Sequence, residues 1–506
     1  MSIFSCLRLN ISTSLRICRP RNTILKKPII RHVASVVGSY HEQTHAPSAG
    51  GPALSTSSLV KLAAKIAQET EKISSYMKEN GLPEPSFNVD SAVGFPKLPD
   101  ALQRAREEVI KATAELGELL TGAEQGLRCL AWDSLAVMSS RMNAEEITAQ
   151  QFAITAGHLS LQYWYLPHKL TAVTAQSFPI NGTSTFEEIA EKVGLDIINV
   201  RRLLRHAMTN RIFQEVKPGV IAHTAASKIL AEDQAMADWV GFCVEDMWPA
   251  SEKTIPALDQ YPSASEPTQS GFCLANDTAN IEPMFVTLGK SPLRAKRLGG
   301  AMASLTTGEG YELSHLINNY DWAALDAHHG TIVDLGGSHG FVCIELAKQF
   351  PNLKFVVQDL LKTIASAPQL DDSLAPRIKY MVHDFHTAQP TKHADVYLFR
   401  WIMHNHSNKY ATNILNQLKP ALKKGARVLI NDYCLPESGK GYEGPEEKVM
   451  RTMDLVMLSL LNAQERGPRD WEELFRGAGG FRFLGVKRLM GSRMSLIEAV
   501  WEGEDV

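Results

Sequence analysis

Apolar positions along the chain change period more than once. Leu59, Leu62, Ala63, Ile66, Ile73 and Met77 recur at helical spacing, and a second amphipathic run covers Leu102 to Leu120. Two helices are predicted, each with a stripe to pack against another helix or another subunit. Phe186 to Leu204 has the layout of a helix-turn-helix, with a turn at Gly194 and a second helix carrying Val200, Leu203 and Leu204. RIFQEVKPGVIAHT follows and predicts a two-stranded wing turning at Pro218-Gly219. From Thr331 onward the runs TIVDLG, KFVVQDL, IKYMVHD, DVYLFRWI and ARVLINDYCL alternate with helical stretches such as FVCIELAKQF and a helix to about Leu422. Buried strands separated by helices predict an α/β fold with a parallel, doubly wound sheet. FRFLGVKRL and MSLIEAVW have no helix between them and read as a hairpin adding an antiparallel edge. A helix over Glu446 to Leu461 carries Val449, Met453, Val456, Met457 and Leu460 at helical spacing, a stripe that is mostly core.

Composition refines this picture at the N-terminus. Seven Arg or Lys residues lie between Met1 and Arg31, and the first acidic residue is Glu42. A basic, hydroxyl-rich, acid-free leader is how a mitochondrial transit peptide reads, but Pro20 and Pro28 interrupt its helix. A cytoplasmic protein is therefore the expectation, with import the alternative. His45 to Ser58, rich in Pro, Gly, Ala and Ser, reads as a linker. With 506 residues the chain exceeds one ordinary domain. Its seven cysteines are scattered without a CxxC pair, which argues against a disulfide framework and a structural zinc site. No apolar window reaches the ~18 residues of a membrane span. Arg201, Arg202 and Arg205 would sit on the recognition helix of a DNA-binding reading. That cluster is small and the formal net charge is -3, so a winged helix used for packing, with no nucleic-acid partner, is preferred.

Candidate chemistry collects at the strand ends. The first strand runs into Val333-Asp334-Leu335-Gly336-Gly337-Ser338-His339-Gly340-Phe341. Glycines after a first strand let the chain turn sharply and let a ligand approach the backbone. The spacing fits DxGxxxG better than GxGxxG, because Ser338 replaces the middle glycine and Phe341 the last, which counts against a dinucleotide. Asp359 lies 23 residues beyond Gly336 at the end of the second strand, where a carboxylate can accept from both ribose hydroxyls. Asp384 follows the third strand and can reach an adenine edge. Each aspartate alone has a plainer reading as a helix cap or turn former.

VDLGGSHGF, FVVQDL, HDF, FRWIMHNHSNKYATNILNQLKPALKKGARVLINDYCLPE and AQERGPRDWEELFRGAG together resemble the plant-type caffeate/flavonoid O-methyltransferase family, above all its fungal, sterigmatocystin O-methyltransferase-like branch. The resemblance covers roughly Leu54 to the C-terminus. It implies a Rossmann-like catalytic domain, an N-terminal helical and winged-helix dimerisation domain, S-adenosylmethionine as donor, no metal, and a homodimer. The implied divisions are a leader and linker over 1–53, dimerisation helices over 54–165 and a winged helix over 166–235. Connecting helices that contribute to the acceptor site would cover 236–320, and the cofactor-binding domain 321–506. By the same resemblance, Asp334, Gly336, Gly337 and Gly340 form the cofactor loop, Asp359 meets the ribose, Asp384 and Phe385 the adenine, and Arg400 lies near the cofactor. His404 matches the catalytic base, Asp432 and Glu465 the acidic residues flanking it, and Met302, Met453 and Met457 would line the acceptor pocket. Where the family usually reads HDW and then S-D, this chain reads His404-Asn405-His406 and then Ser407-Asn408. These departures bear on substrate orientation more than on methyl transfer, and they leave His406 as an alternative proton carrier.

A sulfonium donor is already activated, so the remaining work is alignment and removal of a proton. A histidine near pKa ~6.5 faces a gap of ~3.5 units, about 5 kcal/mol, from a phenol near ~10. An ordinary alcohol, close to water's ~16, more than doubles that gap. A lone histidine base therefore favours a phenolic or aromatic hydroxyl. Asp432 or Glu465 beside the ring would set its tautomer and stabilise the imidazolium. The competing readings are an NAD(P)-dependent oxidoreductase, a winged-helix DNA-binding protein, and a methyltransferase fold that keeps its cofactor but has lost catalysis.

Overall fold

The computed structural model describes residues 59–85, 95–131, 175–263, 265–308, 310–437 and 445–504. The basic leader and the linker to Ser58 lie outside the described residues. The described residues up to Leu116 form one compact unit and those from Gly117 onward a second.

Both predicted N-terminal helices are present, α1 over Leu59–Glu79 and α2 over Asp100–Ala131. In the first unit Ile73 and Met77 pack with Ala105 and the half-buried Leu98 and Val109. The predicted stripe on α1 is buried only in part. Leu62, Ile73 and Met77 are covered, whereas Leu59 and Ala63 are exposed. α2 continues past Leu120 and is broken at Gly122, whose φ of 73° and ψ of 164° leave the helical region.

In the second unit the helix-turn-helix forms as its residues predict. β1 (Thr183–Thr185) leads into α3 (Phe186–Val193), and α4 (Ile197–Thr209) follows a turn at Gly194, which is left-handed with φ 69°. Thr185 and Glu188 cap the start of α3 reciprocally. Phe186, Ile189, Val200 and Leu204 enter one core. The wing is β2 (Gln214–Lys217) and β3 (Val220–Ala222). β1 adds a third strand, in the order β1-β3-β2, that the pattern did not predict. Its three residues, TST, carry no apolar alternation to signal it.

The main sheet has β4 (Thr331–Leu335), β5 (Lys354–Asp359), β6 (Ile378–Val382), β7 (Val396–Arg400), β8 (Arg427–Asp432), β9 (Phe481–Arg488) and β10 (Ser495–Trp501) in the order β6-β5-β4-β7-β8-β10-β9. The first five in that order are parallel, and β10 runs antiparallel to both β8 and β9. Ile332, Val396, Leu398 and Leu429 enter the core on one face, while Val333, Tyr397, Phe399 and Ile430 enter the core on the other. Burial of both faces is why these strands read as continuous apolar runs. Strand order reverses at β4, between β5 and β7, and ligands bind beyond the carboxyl ends of such sheets at that point. Among the described residues no helix is long and apolar enough to cross a membrane.

Candidate active site

The loop after β4 is held largely by its own backbone. The Gly336 and Gly337 amides donate to the Gln358 carbonyl at 2.8 and 3.1 Å. Asp359, at the end of β5, accepts from the Ser338 amide at 3.0 Å through one carboxylate oxygen and from the Leu360 amide at 2.8 Å through the other. The Thr363 side chain donates to the same carboxylate. A Cβ on Gly337 would fall 2.5 Å from an Asp334 carboxylate oxygen, and Gly340 is left-handed at φ 79°. Side chains are excluded here for space at one position and for backbone geometry at the other. Burial pushes the Asp334 carboxyl up to about 7, the Cys343 thiol and Arg400 opposing the shift and Asp359 adding to it. Phe341, at the start of α5 (Phe341–Gln349), is 59% exposed and does not close the helix onto the strand as a glycine would.

Asp384 lies two residues beyond β6, and its carboxylate accepts from the His386 amide at 3.0 Å, the bond of a turn former. The Phe385 ring beside it is buried and meets His406 edge-on at 5.7 Å. The Arg400 guanidinium donates to Asn431 and, at 2.7 Å, to the Tyr311 carbonyl. Burial pulls its pKa down to about 10 against the charges of Asp432 and Asp334.

His404 sits on a single 3₁₀ turn, Met403–Asn405, beyond the end of β7, and is 3% exposed. Its Nδ1 is 2.8 Å from a Glu465 carboxylate oxygen. Its Nε2 is buried with no hydrogen-bond partner among the described residues. Of the two acidic residues left open as its partner, Glu465 bonds the ring. Asp432 instead accepts from the His404 backbone amide at 3.2 Å and so fixes the turn. Burial disfavours the imidazolium, but the charge and hydrogen bond of Glu465, helped by Asp432, outweigh it and raise the His404 pKa above the ordinary histidine value. Burial pushes the Asp432 carboxyl up to about 6.

A cavity of about 60 Å³ adjoins this turn. His404, Asn405 and Trp401 line it together with Met302, from α-helix Pro292–Thr306, and Met453 and Met457, from helix Pro445–Leu461. The three methionines named from the sequence are thus brought together around the histidine. The space is less than half the ~150 Å³ of a cavity that admits benzene, so an aromatic acceptor requires the flexible methionines to repack. A larger cavity of about 830 Å³, lined by Thr121, Met450 and Arg493 among others, includes none of the predicted site residues.

Several further groups at the site are not among the residues expected from the sequence. Trp401 holds a left-handed backbone at φ 58°, an outlier for a bulky side chain, and its ring lies 5.2 Å from that of His404. Asn431 receives Arg400, and the Asp454 carboxylate accepts from the Glu465 amide at 2.8 Å. Arg466 is fully buried beside Glu465. Its place in the AQER motif was the available signal. Burial, with the charges of His386, Arg466 and His404, drives the His406 pKa well below the ordinary value, which makes it a weaker base than His404.

Residues 300–482 match the model of an O-methyltransferase domain. Chlorophenol O-methyltransferase of Trichoderma longibrachiatum is 43% identical over 450 residues, spanning 88% of this chain and 91% of its own length. The chain belongs to the O-methyltransferase family. The methyltransferase is also 36% identical to O-methyltransferase AMT9 of Alternaria alternata, over 89% of this chain and 99% of that protein. It is 33% identical to O-methyltransferase gsfB of Penicillium aethiopicum, over 89% and 100%. These relatives are fungal members of the plant-type family, as the motifs suggested. LepI in complex with SAM superposes with a TM-score of 0.57 at 21% identity, over 78% of this chain and 100% of its own. OxaC in complex with SAH and oxaline gives 0.57 at 21%, over 87% and 100%. At such identity the likeness shows the fold alone. Family membership makes this enzyme an S-adenosylmethionine-dependent O-methyltransferase acting on a small acceptor.

Proposed function

We propose that the methyltransferase uses His404 as a general base on a phenolic or other aromatic hydroxyl in fungal secondary metabolism, with polyketide-type aromatics as the acceptor class. The observation that carries this reading is one imidazole with Glu465 on Nδ1, Nε2 unpartnered among the described residues, and a place on the wall of a methionine-lined cavity. Glu465 sets the tautomer, so Nε2 carries the lone pair that takes the hydroxyl proton, and the same carboxylate stabilises the imidazolium that results. Asp432 holds the turn by its backbone. Met302, Met453 and Met457 offer soft, adaptable surface to a flat ring. That the relative from Trichoderma is named a chlorophenol O-methyltransferase supports a phenolic acceptor.

The glycine cradle, where a Cβ would collide with Asp334, fits S-adenosylmethionine. Asp334, Gly336, Gly337, Gly340 and Asp359 would hold its polar half and Asp384 and Phe385 its adenine, with Arg400 bracing β7 against β8 nearby. When bound, that group supplies an activated methyl carbon. The protein's own part is to align the hydroxyl oxygen, exclude water and take the proton, chemistry for which we propose no metal. Within the region 54–165, helices α1 and α2 would serve a homodimer, and residues 132–165 lie outside the described residues; a winged helix would cover 166–235, connecting helices 236–320 and the cofactor domain 321–506. Within the winged helix, Arg205 pairs with Glu215 of β2 at 2.9 Å and Arg201 with Glu187 at 3.6 Å, which supports packing rather than nucleic-acid binding.

The test is a panel of phenols offered with radiolabelled donor to the parent and to His404→Ala. Turnover is expected to fall about 10²–10⁴-fold in the variant, with S-adenosylhomocysteine still raising the melting temperature and NADH not doing so. A variant that transfers label as fast as the parent removes His404 from the mechanism.

A further inference from the structure

The base and its carboxylate belong to segments far apart in sequence, and one buried arginine touches both. Arg466 is 0% exposed. Its Nη1 donates to the Met403 carbonyl at 3.0 Å, its Nη2 to the His406 carbonyl at 2.7 Å, and its Nε to Asn408 Oδ1 at 2.9 Å. Those three acceptors bracket His404 on both sides. The Arg466 carbonyl in turn accepts from the Leu435 amide at 3.0 Å, just beyond Asp432 at the end of β8. Glu465 precedes Arg466 directly, so the backbone that presents the carboxylate and the turn that presents the imidazole are tied through one side chain. Asn408 Oδ1 also accepts from Gln464 Nε2 at 2.7 Å, closing the same segment from the other side.

We infer that Arg466, with Asn408 as its latch, is a positioning residue that sets the distance between His404 and Glu465. The inference rests on the reading of His404 as base. Arg466 reaches its three oxygen acceptors with three separate nitrogens of one rigid plane, an arrangement that the single ammonium nitrogen of lysine does not reproduce. The group stays cationic at neutral pH, since burial lowers its pKa only to about 10 against Glu465, Asp432, Asp470 and Asp454. Asn408 has a part in the same arrangement. The asparagine that stands where the family usually has an aspartate is a neutral acceptor for Arg466, which leaves the guanidinium charge to the surrounding carboxylates.

The decisive experiment measures kcat, KM and the pH profile of kcat/KM for Arg466→Lys and Asn408→Ala beside the parent and His404→Ala. Lysine keeps the charge and removes the fork, so its effect reports geometry. We expect R466K to lose about tenfold or more in kcat with the KM for the donor little changed. Its acidic limb should move to lower pH as the Glu465 contact loosens. Asn408→Ala should move both quantities the same way by a smaller factor. A purely structural arginine predicts a lower melting temperature with the parent's kcat and limb per folded molecule, and that result overturns the inference. If R466K fails to bind S-adenosylhomocysteine and so is misfolded, N408A decides alone, and parental kcat and limb in it are equally fatal. An active His404→Ala would sink the base assignment itself, whereas a dead His404→Ala beside a parental R466K sinks only the positioning role.

Discussion

The two halves of the site differ in how many of their buried polar atoms are left unpaired among the described residues. On the side of β4 and β5, the amides of Gly336, Gly337, Ser338 and Leu360 are bonded to Gln358 and Asp359 within the same loop region. On the side of β7 and β8, His404 Nε2, Trp401 Nε1, Asp432 Oδ1 and Glu465 Oε2 are buried without partners among the described residues. Leaving a buried donor or acceptor unpaired costs about 1–3 kcal/mol. The left-handed backbone of Trp401 adds strain of similar size in the same place. One half is a cradle shaped mainly by its own backbone amides, with Ser338 Oγ buried and unpartnered among the described residues and Ser338 itself left-handed at φ 53°. The other holds more unpaired hydrogen-bonding capacity in reserve, on four buried atoms, which is the expected character of a place where a proton moves.

If that contrast is right, damage to each half should show in a different kinetic quantity. The largest effect should come from Glu465→Gln, which keeps the shape and removes the charge that raises the His404 pKa. Turnover should fall about 10²-fold. The sign of the pH effect follows from the base having to be neutral. In the parent the pKa lies above the ordinary ~6.5, so kcat/KM climbs with pH through a value above that. In the variant the climb should occur at lower pH, and an unmoved limb in a rate–pH titration would separate Glu465 from the base.

A smaller and different effect is expected from Gly340→Ala. Forcing a Cβ into the left-handed region costs about 1–2 kcal/mol, which should appear as a lower melting temperature and about tenfold weaker S-adenosylhomocysteine binding by calorimetry. At saturating donor its turnover should stay within about threefold of the parent. A large loss in kcat with unchanged affinity would erase the distinction between cradle and reserve. The smallest effect belongs to the double change Arg201→Ala and Arg205→Ala. Both arginines are exposed to solvent in part and paired within the winged helix, so activity should be unchanged. A gel shift of the parent on duplex DNA at low salt, lost in the double variant, would instead revive a nucleic-acid role.

Legibility followed the range of the interactions. The parallel sheet could be read because both its faces are buried, so each strand announces itself as an apolar run; the three-residue strand of Thr183 to Thr185 could not, having no such run. The glycine cradle was visible because turn and ligand approach are demanded within nine consecutive residues. Asp359 and His404 were placed by motif, yet the motif left open whether Asp432 or Glu465 holds the ring.

What the chain determined alone was therefore local: helix caps, strand alternation, a turn only glycines can make, and the residue types needed for proton transfer. What the tertiary structure decided was pairing across long separations. Glu465 meets His404 across 61 positions and Arg466 meets Asn408 across 58, with nothing in the intervening sequence to specify either contact. Hydrogen bonds depend on angstroms and on which groups are already occupied, and both are settled only when β7, β8 and the AQER segment pack side by side.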